Sequence, residues 1–360
     1  MKESWRWFGP VDRVSLNEVA QTGASGVVGL PTLAALRSRH DVVVFEGRRP
    51  VEHSGRSVRG DLRAPRLGLD DAEWTALADT VDVVVHCAGV VDFGADDAAT
   101  RAVNVDGVGH VVELATAASA RLVHVSTAFV EQPVVADLTG GMATMHPGAY
   151  IASKKDGEAL VRASATDWTI VRPSIVCGDS TTGEISQLQG LHTLIRAFLK
   201  GTLPVVLCED ALQYDFVPCD VVADAITAVV DHPLLFEREH VWATSGRAAL
   251  DIDQLIAILV DEATRLGISV DAPRRLHPEV FQRLWKPAFF EMLDVPAQTK
   301  FANLLASVAN LFNTTPFPSS LGSGPLPAAQ TAETIERSAR LTARHLVSLS
   351  PAAYPMLQPA

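Results

Sequence analysis

Lysine and tyrosine are scarce in this 360-residue chain: six lysines stand against 24 arginines, and there are three tyrosines. Positive charge is outweighed, with 30 basic against 42 acidic residues and a net charge of −12. That balance excludes general binding to a nucleic-acid backbone. No apolar run approaches the roughly 20 residues needed to span a bilayer. The four cysteines (Cys87, Cys177, Cys208, Cys219) form no C-x-x-C pair. This spacing excludes a disulfide framework and leaves no zinc-ligand cluster, so they are expected as small buried residues in a reducing cytoplasm. The opening Met1–Trp7 lacks the apolar stretch of a secretory signal, and a cytoplasmic protein is expected. No repeat or low-complexity tract is visible.

What is present suits a large core: 48% of residues are apolar and 20% charged, in a length of about two domains at roughly 150 residues each. Between residues 22 and 180, valine-rich runs alternate with helix-length amphipathic stretches. Val42–Phe45, Val81–Cys87, Arg121–Ser126 and Trp168–Arg172 read as buried strands; Val27–Arg39, Asp97–Ser119 and Gly148–Ala165 read as helices. The alternation predicts an α/β fold, a Rossmann-type doubly wound parallel sheet. After residue 180 it fades into helical segments near Glu184–Leu199, Cys219–Val230 and Thr331–Leu346, with an edge strand at Leu203–Leu207. The expected division is a divergent segment over 1–21, a dinucleotide domain over 22–180 rejoined by 215–245, and a smaller, mostly helical substrate-binding region over 181–214 and 246–360.

Thr22-Gly23-Ala24-Ser25-Gly26-Val27-Val28-Gly29 spaces three glycines by three just ahead of a helix. Backbone can there approach a pyrophosphate at the helix's positive end, with Gly23, Ser25, Gly26 and Val27 as candidate contacts. The preceding stretch Val14–Gln21 reads as too polar for a central strand. Some 20 residues past the loop comes Glu46-Gly47-Arg48-Arg49, where an acid reads the ribose of NAD and an arginine the 2′-phosphate of NADP. Arg48 and Arg49 favour NADP, with NAD the alternative. They belong to a local excess of eight arginines between Arg37 and Arg66 over Asp41, Glu46, Glu52 and Asp61, which suits a small polyphosphate such as NADP or the phosphates of coenzyme A.

Tyr150-Ile151-Ala152-Ser153-Lys154 sets a tyrosine and a lysine on one helix face. Given their scarcity, chance supplies such a pair in about one chain in twenty. A nearby ammonium lowers the pKa of a phenol, which can then exchange a proton with a substrate oxygen. Upstream, Thr127 closes a strand at the edge where ligands bind, and its hydroxyl can orient the reacting oxygen, with Ser126 as the alternative. His86 and His124 read as satisfied core histidines. Trp285 and Phe289-Phe290 read as helical core rather than an acyl tunnel. Thr331–Leu346, with Arg337, Arg340 and Arg344, reads as a packed helix, a dimer or carrier-protein surface being its other reading.

With the loop, the Thr127/Tyr150/Lys154 set and His86-Cys87-Ala88-Gly89, the sequence resembles the extended short-chain dehydrogenase/reductases. Within them it is most similar to the thioester reductases and fatty acyl-CoA reductases, through Gly60-Asp61-Leu62, Pro65–Leu69, Asn104-Val105-Asp106-Gly107, Val171–Ser180 and Asp215–Pro218. The resemblance covers residues 22–235. It implies Asp61 and Leu62 at the adenine, Ala88 and Gly89 at the adenosine and pyrophosphate, Lys154 on the nicotinamide ribose, and Pro173 and Ser174 against the nicotinamide. It also implies an NADP-dependent reductase that takes an acyl-CoA or carrier-bound thioester to the aldehyde, the alcohol being a further product. The alternatives are a sugar-nucleotide epimerase or dehydratase, a hydroxysteroid-type dehydrogenase, and a dinucleotide sensor without catalysis. A small-molecule or acyl-thioester substrate is expected, with no nucleic acid, no integral membrane segment, and a homodimer left open. The first two dozen residues are separately similar to the amino terminus of mannonate dehydratases, barrel-fold lyases; nothing after residue 30 supports that fold.

Overall fold

The structure, a computed structural model, describes residues 18–132, 143–145, 147–207, 212–288, 290–309, 312–313 and 315–354, with backbone alone for 304, 306–309 and 312–313. The amino-terminal segment, Cys208 and Phe289 lie outside the described residues. Six strands build most of the central sheet: β1 (Val19–Thr22), β2 (Val42–Glu46), β3 (Ser57–Arg59), β4 (Val83–His86), β5 (Arg121–Val125) and β6 (Trp168–Pro173). The strand Glu239–Ala243 adds a seventh beside β6, and the order across the sheet is β3-β2-β1-β4-β5-β6 followed by that strand. All six pairings are parallel. Connections reverse direction between β1 and β4, the switch point where ligands bind in such sheets.

The sheet is buried on both faces, which is why its strands are near-continuous valine. On one face α1 (Gly29–Arg37) and the helix Cys219–Asp231 cover Val44, Val85, Val123 and Val171. On the other, α4 (Gly107–Ala117) and α5 (Pro147–Ala163) cover Val43, Val84, Leu122 and Ile170. Two shorter helices, α2 (Asp71–Ala78) and α3 (Asp97–Arg101), flank this layer, and a π-helical turn over Ala102–Asp106 joins α3 to α4. Helix α5 lies tight on that turn: a Cβ at Gly157 would stand 2.6 Å from the Asn104 carbonyl oxygen.

The strand before the glycine loop corrects the sequence reading. It is only four residues long, starts three residues before the expected boundary at 22, and is fully buried. Its polar residues are partly partnered: Gln21 Nε2 donates to the Gly29 carbonyl at 2.7 Å, and Thr22 Oγ1 lies 2.7 Å from His86 Nδ1, while Gln21 Oε1 has no partner among the described residues. Each bond made offsets part of the cost of burying a polar group.

Beyond β6 the helices Gly190–Leu199, Ile252–Arg265 and Ala332–Leu349 pack around Tyr214 and Phe216. This second core reaches Phe129 and Ile151, on either side of the candidate site. Phe281, Trp285 and Phe290 form a smaller aromatic cluster with Phe301, as core packing predicts. Val205–Leu207 is a strand, paired with Arg274–Leu276. No helix among the described residues is long and apolar enough to cross a membrane.

Candidate active site

The glycine loop leaves β1 and turns at once. Gly23 has φ +69°, and a Cβ there would lie 2.4 Å from the Ala88 backbone nitrogen; one at Gly29 would lie 1.9 Å from the Gly23 carbonyl oxygen. Only glycine fits either place. The Gly26 amide closes the turn on the Gly23 carbonyl at 2.9 Å. Val27 is buried, Ser25 half-buried, and Gln187 reaches across to donate to the Ser25 carbonyl at 3.0 Å. A shallow backbone cradle at a helix start, on the switch point, fits a dinucleotide pyrophosphate.

One strand over from the loop, Glu46 closes β2 and approaches His53, with Oε1 to Nε2 at 3.5 Å. Much of the local arginine excess is spent. Arg56 pairs with Glu18, Arg63 with Asp61, Arg66 with Asp71 and Arg39 with Asp231. Arg48 and Arg49 are exposed and make no ion pair among the described residues. Arg59, which the sequence reading passed over, shares that state and is the register partner of Glu46. Asp61 is held well below the usual carboxylate range, at about 2, by its hydrogen bonds from Arg63. Leu62 packs under Gly107 and its carbonyl meets His110 Nδ1 at 2.8 Å.

Thr127 and Tyr150 meet at the carboxyl edge of β5. Thr127 caps the short turn Ala128–Glu131, accepting from the Phe129 amide at 3.4 Å, and its hydroxyl lies close enough to the Tyr150 phenol to act on its pKa. Ser126 is also buried, and its hydroxyl has no hydrogen-bond partner among the described residues. Phe93 rests against the phenol, ring centroids 5.5 Å apart. The other two tyrosines are core residues: Tyr214 is fully buried, and Tyr354 donates to the Leu346 carbonyl at 3.0 Å.

Lys154 follows one turn later on α5 and donates from Nζ to the Val125 carbonyl at 2.7 Å. Burial lowers its pKa to about 8. The expected lowering of the phenol is not met: burial pushes Tyr150 up to about 12, past what the nearby Thr127 hydroxyl restores. The ammonium is aimed at a backbone carbonyl, and desolvation decides the phenol's pKa.

Gly89 lines the space between these groups, where a Cβ would stand 3.3 Å from Asn104 Oδ1 and 3.8 Å from Lys154 Nζ. Asn104 ties the Ala88–Val90 loop to α5. It accepts from the Val90 amide at 2.8 Å and donates to the Val90 carbonyl at 2.9 Å and to Ser153 Oγ at 3.0 Å. Pro173 ends β6; Ser174 is buried beside Asp215, whose carboxylate caps the Ser245 and Gly246 amides at 2.8 and 2.9 Å. His86 and His124 are buried and stacked, ring centroids 5.4 Å apart. His86 meets the satisfied-core expectation at Nδ1 only, through Thr22, its Nε2 having no partner among the described residues. His124 departs from it further, with no hydrogen-bond partner at either ring nitrogen among the described residues, and both rings are held neutral by burial.

The family model of male sterility proteins, an NAD-binding group, matches residues 37–226. The chain belongs to this family. It is an extended short-chain dehydrogenase/reductase of the thioester-reductase branch. The ceramide reductase of Caulobacter vibrioides is 34% identical over 179 residues, 48% of this chain and 50% of that protein. Peramine synthetase of Metarhizium rileyi is 32% identical over 189 residues, 49% of this chain; the matching part is 6% of that synthetase. This family member therefore spans a small fraction of the synthetases it is similar to. Among solved structures, the terminal R domain from the myxalamid PKS-NRPS biosynthetic pathway has the same fold, with a TM-score of 0.72 at 22% identity over 96% of this chain and 94% of that one. The reductase domain of a nonribosomal peptide synthetase from Mycobacterium tuberculosis shares the fold at 0.65, 18% identical over 93% of each chain.

Proposed function

We propose that this reductase-branch protein converts an acyl thioester, borne on coenzyme A or a carrier protein, to the aldehyde with NADP as hydride source. The convergence of Thr127, Tyr150 and Lys154 beside the glycine loop, in a chain of this branch, carries the reading. Gly23, Ser25, Gly26 and Val27 would hold the dinucleotide, with Ala88, Gly89, Pro173, Ser174, Asp61 and Leu62 as its further contacts, and the chemistry it would supply there is the hydride that reduces the thioester carbonyl carbon. A phenol raised to about 12 stays protonated through the neutral range, so Tyr150 can give its proton to the oxygen as charge develops there. Thr127 holds the same oxygen by a second hydrogen bond, and Lys154 sets a positive charge beside it. The resulting hemithioacetal breaks its carbon–sulfur bond, releasing thiol and aldehyde; a second hydride would give the alcohol.

Three observations support the finer points. Exposed Arg48, Arg49 and Arg59 suit a 2′-phosphate, hence NADP over NAD. Cys87, Cys177 and Cys219 are free thiols, in keeping with a cytoplasmic setting. The core around Tyr214 and Phe216 abuts Tyr150, which suits residues 181–214 and 246–360 covering the substrate while 22–180 and 215–245 hold the dinucleotide. The test is NADPH consumption with long-chain acyl-CoA, with the aldehyde trapped as a hydrazone. No consumption, together with epimerisation of a sugar nucleotide without net cofactor loss, would sink this reading.

A further inference from the structure

One buried charge system outside the proton-donating pair remains without a role. Along α5, Tyr150, Lys154, Glu158 and Arg162 recur every four residues and so share one stripe. Glu158 is 1% exposed and Lys154 5%. Arg172, on β6, grips the Glu158 carboxylate with a two-pronged fork, Nε to Oε1 at 2.9 Å and Nη2 to Oε2 at 2.6 Å. Arg162 adds a bond to Oε2 at 2.7 Å. Arg172 cannot swing away: its third nitrogen donates to Glu131 at 2.8 Å, and its guanidinium lies 4.8 Å from the Trp242 ring centroid.

Resting on the reading above for its role in catalysis, we propose that Glu158, clamped by Arg172, is a positioning residue that sets the charge of the Lys154 ammonium beside Tyr150. The groups facing that ammonium are few. From α5 come Tyr150 and Glu158, from the end of β4 His86 and Cys87, and from β5 His124. Burial keeps both imidazoles neutral and pushes the Cys87 thiol up to about 12, so neither strand offers a counter-charge. Glu158 does: burial pulls its carboxyl upward, but Arg172 and its other partners hold it below the usual range and ionised. Burial drags Lys154 downward, and the Glu158 carboxylate opposes that drag. The clamp has a second consequence. Arg172 and Arg162 help keep the Glu158 carboxyl ionised, so the charge the ammonium feels depends on whether the clamp is in place.

This gives a test of sign. With six lysines in the chain, 13Cε-labelled lysine yields few resonances, and Lys154 is assigned by its loss in Lys154→Arg. Glu158→Gln removes the carboxylate that opposes burial and should lower the Lys154 midpoint by about one pH unit. Arg172→Met takes from Glu158 the partner that keeps it ionised and should lower the midpoint in the same direction by a smaller amount, while Arg172→Lys, which keeps the charge, should leave it within about 0.3 unit. If the buried variants do not fold, Arg162→Gln, at the half-exposed end of the stripe, should still lower the midpoint by a few tenths. The alkaline limb of kcat/KM should follow the resonance. A rise in Glu158→Gln or Arg172→Met, or no shift in any variant, would overturn the proposal. Shifts of the expected sign in a protein inactive on thioesters would instead overturn the proposed reaction and leave the charge coupling standing.

Discussion

Two regions of the molecule use the same chemical unit for different ends. In the helical part Glu262, 1% exposed like Glu158, is also gripped by two arginines: Arg344 Nε at 2.6 Å and Arg340 Nη1 at 3.2 Å. It stands on Ile252–Arg265, and both arginines come from Ala332–Leu349, so the unit pins one helix to another. Four residues before Glu262 is Ile258; four residues before Glu158 is Lys154. A buried carboxylate between guanidiniums is a clamp wherever it occurs, and it becomes part of a reaction only where a titratable neighbour shares its helix face. Burial and bonding pattern alone do not separate the two.

The comparison breaks most sharply at Tyr150. Tyr150→Phe should cut NADPH oxidation by about 10³-fold, within the range of general acid catalysis, and leave the thermal midpoint unchanged. A fall below tenfold would mean that another group delivers the proton. Glu262→Ala should do the reverse. Uncompensated arginines at a helix seam should cost about 3 kcal/mol in denaturant titration, less than a fully buried pair because Arg344 is half-exposed, with turnover per folded molecule kept. Gly157→Ala should injure both properties. Its Cβ would press on the Asn104 carbonyl, costing about 2 kcal/mol and loosening the Ala88–Val90 loop, which would show as a raised KM for the dinucleotide.

Smaller effects sharpen the contrast. Arg48→Ala and Arg49→Ala should each raise KM for NADPH about tenfold, about 1.4 kcal/mol, without changing stability or KM for NADH. Equal effects on both cofactors would remove the arginines from the phosphate site. The pH dependence of stability also divides the regions. Lys154 has a folded-state pKa of about 8, below its ordinary 10.5, so its buried charge opposes folding fully below pH 8 and progressively less up to 10.5. Stability should therefore gain from this residue as pH rises through that window. The gain should vanish in Lys154→Met and persist in Glu262→Gln.

The sequence made the central strands and α5 legible because their signals are local. Val42–Phe45 and Trp168–Arg172 are runs that only a sheet buried on both faces accommodates, and Gly148–Ala165 overlies Pro147–Ala163 to within two residues. Strand β3 was missed: three half-buried or exposed residues at an edge carry no alternation to read. The strand Glu239–Ala243 was missed because its first residues are exposed and polar. The loop, Thr127, Tyr150 and Lys154 could be named from spacing and scarcity. Glu158 could not. Lys154-Lys155-Asp156-Gly157-Glu158 reads as a solvated helix face, and only Arg172, fourteen residues on and in a different element, reveals that part of it is buried. For the same reason the phenol's upward shift was not foreseen, since desolvation is a property of the packed site.

The close fit of Gly23 against Ala88 has a consequence for how such a protein could be re-engineered. The glycine loop is shaped by backbone with no room for an added carbon, so selection there has almost nothing to vary. The ends of β2 and β3 are the opposite: Arg48, Arg49 and Arg59 are exposed side chains. Tolerance to change is thus concentrated around these arginines, and if they meet the ribose as proposed, cofactor preference would shift with a few surface substitutions while the glycine loop stays as it is.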